Sequence, residues 1–347
     1  MSAAPASAEL RALQRALADG DPALGPGALL ERLVEAGLDR LPAPAGGATL
    51  ERWRMLAAVA RHDLSLAKLF EGHTDALAIL EELGHPVGSK RRVWGVWAAE
   101  SPQGRARLAE PPKAPRPTLA GAKFWCSGAA TATHGLLTAW IDGEPLPQLV
   151  SVEIAQPGVH VDSGAWQAVG MAGSASLDVR FDAAIAEPVG KPGQYLSRPG
   201  FWQGGAGVAA CWFGGAQAVA DALYRAVQAA GADARNTDFR KAACGKVDLE
   251  LRSTAALLRE VAGWIDSHPQ ADAQAQALRA RLAAERCARM VLDEVGRTLG
   301  ATPFCRDAGF ARVAADLPVF VRQSHAERDF AALGQAWPTE GPDTWAL

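Results

Sequence analysis

Up to about residue 91, apolar side chains recur every three or four positions. Between about 92 and 190 they alternate instead, and beyond that the helical spacing returns. Residues 8–17 predict a first helix, stopped by Gly20, Asp21 and Pro22. A second spans 28–37, with Gly37 at its C-terminal cap. After a Pro/Gly/Ala linker at 41–48, Thr49 reads as the N-cap of a helix running to about Arg61. Asp63 opens the next, which carries Leu64, Leu66, Leu69 and Phe70 towards Leu83, and Gly84, His85 and Pro86 end it.

Short runs bounded by Gly, Pro and Asp follow at 93–98, 118–126, 135–140, 148–154, 159–163 and 176–182. The last alternates cleanly, with Leu177, Val179 and Phe181 on one face. Strands at this spacing without helices between them predict a small barrel or sandwich. Four helical segments come next, near 200–230, 237–266, 271–299 and 308–333. They are separated by Gly231, by Ser267, His268 and Pro269, and by 300–303. Long helices with short connections predict a four-helix bundle. The expected class is α+β: a helical domain over 1–91, a β-barrel or sandwich over 92–190 and a four-helix bundle over 191–347.

Composition narrows the partners. The 347 residues are 21% charged with a net charge of −3, so no basic surface points to nucleic acid or anionic membrane. Residues 204–222 are the most apolar run, but Gly, Gln217 and Asp221 break it, which predicts a buried helix rather than a membrane span. The first ten residues lack the basic and apolar regions of a signal peptide. Cys126, Cys211, Cys244, Cys287 and Cys305 form no CxxC pair, which suits a reducing cytoplasm. His62, His73 and His85 make no HxxxH pairing, so no metal is expected. No GxGxxG or Walker loop appears either.

Two stretches carry candidate chemistry. Residues 119–129 (Leu-Ala-Gly-Ala-Lys-Phe-Trp-Cys-Ser-Gly-Ala) read as a turn at Gly121, a strand through Phe124, Trp125 and Cys126 with Lys123 facing out, and a turn at Ser127 and Gly128. Residues 93–104 form a companion strand ending in Glu100 and a Pro/Gly turn. Two strand ends with Trp, Ser, Glu and free N–H groups offer a wall to a flat, polar-edged ring such as a flavin. On composition alone, Trp94, Trp97 and Trp125 read as core residues.

These stretches and the order of domains resemble the acyl-CoA dehydrogenase superfamily over nearly the whole chain. The family's Thr-Glu-Pro-x-x-Gly-Ser-Asp loop matches Ala99-Glu100-Ser101-Pro102-Gln103-Gly104-Arg105, with Ala99 and Arg105 in place of Thr and Ser. Its Gly-x-Lys-x-Trp-Ile-Thr-Asn segment matches residues 121–128, and 166–171 and 174–182 are similar to its end-of-barrel sequence. The resemblance implies FAD as cofactor, with Trp97, Ala99, Glu100, Gly104, Trp125, Cys126 and Ser127 around it. It implies oxidation of a CH–CH bond in an acyl thioester or related small molecule, and a homodimer or homotetramer, with the Gly/Ala-rich first bundle helix as an interface. The family's base is a Glu. Its first-helix position falls at Gly204, and by its late position Glu327 or His325 approaches the flavin. A His in that region also marks flavin-dependent monooxygenases of this fold, which use reduced flavin and oxygen. The family's Arg-x-x-Phe-Gly is broken at 235–239, so a third alternative is a scaffold without catalysis.

Overall fold

The structure, a computed structural model, describes residues 6–21, 23–87, 91–109, 116–164, 166–229 and 237–340. Helices α1 (Ala8–Ala18), α2 (Pro26–Glu35), α3 (Thr49–His62) and α4 (Leu64–Glu82) come first. Strands β1 (Trp94–Trp97), β2 (Ala106–Ala109), β3 (Thr118–Cys126), β4 (His134–Ala139), β5 (Gln148–Glu153), β6 (Val159–Asp162), β7 (Leu177–Ile185) and β8 (Glu187–Val189) follow. The rest is helical: α5 (Gln194–Ser197), α6 (Gly200–Gly205), α7 (Val208–Ala229), α8 (Thr237–Ser267), α9 (Gln274–Leu299), α10 (Ala301–Arg306), α11 (Ala308–Phe320) and α12 (Glu327–Glu340). The fold is thus mixed α+β with helical ends.

Contacts group the chain into two compact units: residues 1–41 with 65–201, and residues 42–64 with 202–347. In the first, the strands form two sheets, ordered β1-β4-β5-β8 and β2-β3-β7-β6. Only β1 and β4 run parallel among these ladders. Among the described residues no closed sheet is found, so the barrel alternative is not confirmed. Instead Trp97, Leu137, Val150 and Val152 of one sheet share a core with Leu108, Leu119, Val179 and Phe181 of the other. The opposite face of the first sheet, through Trp94, Leu136 and Leu149, packs on Ala76, Ile79 and Leu80 of α4. Burial on both faces explains why β4 reads as a continuous apolar run. Each such side chain contributes about 1.5–3 kcal/mol. The short β2 and the Pro-containing β8 were not among the strands read from the sequence.

In the second unit, α7 packs against α3, α8, α9 and α11. The α3–α7 approach is close: a Cβ at Gly214 would lie 2.3 Å from the Ala57 carbonyl oxygen. At Gly215 a Cβ would meet Leu64 and Leu317 side chains at 2.9 and 2.8 Å. Gly214 and Gly215 of α7 are thus closely packed within this unit. Thr49 does not cap α3. Its hydroxyl donates to Asp266 Oδ1 at 2.6 Å, and the Asp266 carboxylate accepts from the Gly47 and Thr49 N–H groups, so a residue of α8 caps α3. The segment expected at 308–333 breaks into α11, a 3-10 turn at Val321–Gln323 and α12.

Gly214→Ala is expected to lower unfolding stability by about 1–3 kcal/mol through overpacking. Gly263→Ala, with open space around it on α8, is expected to raise stability by up to about 1 kcal/mol. Urea unfolding of both variants checks the pair.

Candidate functional site

The site is built on an irregularity in β3. Lys123 pairs with Val179 of β7 and Cys126 with Leu177, so β3 carries one extra residue between them. An extra residue reverses which side chains face the core. Lys123 and Cys126 consequently both point inward, and Trp125, at φ +57°, turns its ring out to 52% exposure. The expectation that Lys123 faces out is reversed, whereas Trp125 lies in β3 as expected, with its ring turned out of the core. The turn expected at Gly121 is likewise a strand position, with φ +100° and a Cβ site only 2.1 Å from the Arg105 carbonyl oxygen.

A buried ammonium must be paired. Lys123, 2% exposed, holds Glu100 Oε1 at 2.9 Å and Thr138 Oγ1 at 2.8 Å. Thr138 donates to Glu100 Oε1 at 2.7 Å, and Trp140 Nε1 donates to Glu100 Oε2 at 3.1 Å. The Arg105 guanidinium lies over the Trp140 ring at 4.4 Å. Burial pushes the Glu100 carboxyl up, but the hydrogen bonds from Lys123, Thr138 and Trp140 outweigh it and hold it below the usual glutamate range. Glu100 is thus an ionised anchor that fixes the 99–104 loop to β3 and β4.

Ser127, just past β3, is held from several sides. Trp97 Nε1 donates to its carbonyl at 3.0 Å, and its own N–H donates to the Trp125 carbonyl at 3.0 Å. Its hydroxyl meets Ser176 Oγ at 2.8 Å, Ser176 meets Ser174 Oγ at 3.0 Å, and Ser174 donates to the Met171 carbonyl at 2.8 Å. Ser127 also lines a narrow crevice between α4 and β1, with Lys68, Leu69, Gly72, Val96 and Thr131. Lys68 Nζ there pairs with Glu71 at 2.8 Å. The crevice walls are pinned by buried His73 on α4, whose Nε2 meets Asp39 at 3.0 Å and whose Nδ1 accepts from the Trp94 N–H at 3.1 Å. That acceptance puts the ring proton on Nε2, facing the carboxylate. Burial raises the Asp39 carboxyl, and the His73 contact more than reverses this, leaving it lowered.

No protein-family model and no curated protein sequence matches the chain. Solved structures do. KijD3, in complex with FMN and dTDP-3-amino-2,3,6-trideoxy-4-keto-3-methyl-D-glucose, aligns at TM-score 0.78 and 20% identity, over 97% of this chain and 95% of that one. TdsC from Paenibacillus sp. A11-2, with FMN and indole, aligns at 0.80 and 18%, over 96% and 98%. The nitrososynthase from Micromonospora carbonacea var. africana aligns at 0.76 and 19%, over 96% and 97%. These are acyl-CoA dehydrogenase-fold flavoproteins.

The chain has the acyl-CoA dehydrogenase fold.

Within that fold the residues singled out from sequence separate by role. Trp97 is 1% exposed, its ring against Gly95 and Gly135, so it acts through Ser127. Ala99 is exposed at the end of β1. Gly104 bridges to Ser101, and a Cβ on it would meet the Phe124 ring at 2.9 Å. Cys126 is fully buried and burial pushes its thiol up, so it is a core group. Trp125 and Ser127 remain as the half-open aromatic and hydroxyl.

In the second unit, His325 is exposed and its Nδ1 lies 3.5 Å from Asp329 Oδ1, while Asp329 Oδ2 accepts from the His325 N–H at 3.1 Å. Glu327 is exposed in the first turn of α12. Of the broken Arg-x-x-Phe-Gly stretch, Arg235 and Asn236 lie outside the described residues, and Phe239 is exposed on α8. Sequence reasoning missed the roles of Ser174, Ser176, Thr138 and Trp140. The Ser-x-Ser spacing at 174–176 was the one available signal.

Glu100 ionises more readily folded than unfolded, so its contribution is present above the usual glutamate range and lost as pH falls through the lowered folded value. Glu100→Gln should lower the melting temperature at neutral pH and flatten the acid limb of the stability profile. An unchanged acid limb in thermal melts across pH would refute the anchor.

Proposed function

We propose that the chain is a flavin-dependent oxidoreductase acting on a small molecule. The observation that carries this reading is the pairing of an outward-turned indole, Trp125, with a rigidly held hydroxyl, Ser127, at one strand end. A flavin is a flat ring with polar atoms around its rim, and that donor set suits it. The shared fold with structures holding FMN supports the same conclusion.

Trp125 would support the ring and Ser127 would meet its polar edge, with the 99–104 loop held in place by Glu100 and Lys123. A bound flavin supplies two-electron transfer and, when reduced, reaction with oxygen. Trp97 and Ser176 keep Ser127 from reorienting, and Leu69 and Val96 line the crevice beside it. FMN is the proposed flavin, because the family's segment that reaches FAD on the partner subunit is broken at 235–239. An assembly of two or four copies and a cytoplasmic setting belong to the same proposal. Among the described residues no helix is long and apolar enough to cross a membrane.

Two reactions suit this fold. Oxygen insertion by reduced flavin needs no base to remove a substrate α-proton, and TdsC is described as a dibenzothiophene monooxygenase. Dehydrogenation of an acyl thioester needs such a base, with Glu327 or His325 in that role. Both are exposed rather than set in a dry pocket, which favours the monooxygenase reading.

Visible spectra after adding FMN or FAD and desalting are expected to show a retained or readily exchanged FMN band. Glu327→Gln is expected to change turnover by less than about threefold, because loss of a true general base costs about 100- to 10,000-fold. A loss of that size, with anaerobic bleaching of the flavin by acyl thioesters, would instead establish dehydrogenation.

A further inference from the structure

A cavity of about 360 Å³ lies wholly within the second unit, and none of its lining residues belongs to the crevice beside Ser127. That volume suits a small molecule. The bend from α3 into α4 supplies Arg61, His62 and Asp63 to its wall. One face of α7 supplies Ala218, Asp221 and Arg225, whose spacing stacks them along the helix. The same spacing on α11 brings in Gly309, Arg312 and Asp316, while Leu64, Phe310 and Val313 add apolar surface. The charges here are mixed in sign, but not all of them are joined. Arg61 holds Asp221 through two hydrogen bonds, at 2.7 and 2.6 Å, so that pair is satisfied within the chain. Arg225 comes only to 3.9 Å from Asp307 Oδ2, and Arg312 only to 3.8 Å from Asp63 Oδ2, both too long for hydrogen bonds. With the two arginine side chains 63% and 70% exposed, such loose pairs open at little cost. Asp307 spends Oδ1 on the Phe310 N–H at 3.0 Å as the N-cap of α11, which leaves Oδ2 towards Arg225.

We propose that this cavity binds a small zwitterion of the α-amino-acid class. Arg225 and Arg312 take its carboxylate, Asp307 takes its ammonium, and an apolar side chain lies against Leu64, Phe310 and Val313. The mixed lining is the reason for a zwitterion. An anion alone would meet the carboxylates of Asp63, Asp221, Asp307 and Asp316, and a cation alone the three guanidinium groups of Arg61, Arg225 and Arg312. A molecule with both signs a few bonds apart pairs with each and adds no net charge. It exchanges two loose ion pairs for charge-assisted hydrogen bonds. The site is independent of the flavin reading, which gives none of these residues a part.

The test is a thermal-shift screen of the full chain against the common L-amino acids. Calorimetry then follows on the best binder and on its two halves, the deaminated acid and the decarboxylated amine. A stabilising shift is expected from at least one amino acid with an apolar side chain. The acid and the amine should each bind about tenfold more weakly, the loss expected when one charged hydrogen-bonding group goes unmatched. Arg225→Gln and Arg312→Gln should each weaken the amino acid about tenfold for the same reason. Asp307→Asn keeps a capping side chain on α11 while removing its charge, so it should melt like wild type when unliganded yet bind about tenfold more weakly. No shift with any amino acid, a deaminated acid that binds as tightly as its parent, or wild-type affinity in Asp307→Asn would overturn the proposal.

Discussion

A charged ammonium inside a sheet core is a demand that the surroundings have to meet. Lys123 is nearly inaccessible, and its charge is compensated by Glu100, which Thr138 and Trp140 in turn hold in place by hydrogen bonds. Leaving a buried ammonium without a partner is costly, so Lys123 ties itself to the half-exposed Glu100 carboxylate and the Thr138 hydroxyl. The 99–104 loop, the irregular stretch of β3 and the end of β4 are therefore locked to one another. Lys123 keeps the inward phase of Leu119, and the extra residue that follows it turns Trp125 outward.

Behind that face lies a second layer of constraint. Trp97 looks on paper like a ring-binding aromatic, yet it is packed on Gly95 and Gly135 and uses its indole N–H to fix Ser127. His73 and Asp39 do the corresponding work for the opposite wall, tying α4 to the backbone of β1 through one imidazole. Both devices place polar groups in the interior only where every hydrogen bond named here is made. That condition lets a site stay ordered without a ligand present.

The fold is one on which more than one flavin reaction is carried out, and fold alone does not choose among them. What distinguishes this chain lies in its own side chains: an alanine at position 99, a glycine at 204, exposed acidic and imidazole groups at 327 and 325, and a serine relay behind Ser127.

The order helix, strand, helix was legible in the sequence because long amphipathic runs such as α1 and alternating runs such as β7 carry their period within themselves. The family resemblance came from short motifs, and the positions 99–104 and 121–128 do end up on the same unit. What the sequence by itself could not determine was which way residues point once a period is broken. One additional residue in β3 turned Trp125 outward, and nothing local announces it, because a bulge is defined only against the partner strand. Partners distant in the chain were equally hidden. The capping of α3 by Asp266, the close seat of α7 on α3, and the run from Ser127 through Ser176 to Met171 depend on residues brought together by packing. Local periodicity determined the elements; tertiary structure decided the facing and pairing of polar groups, because a buried hydrogen bond is settled by whichever partner arrives in range.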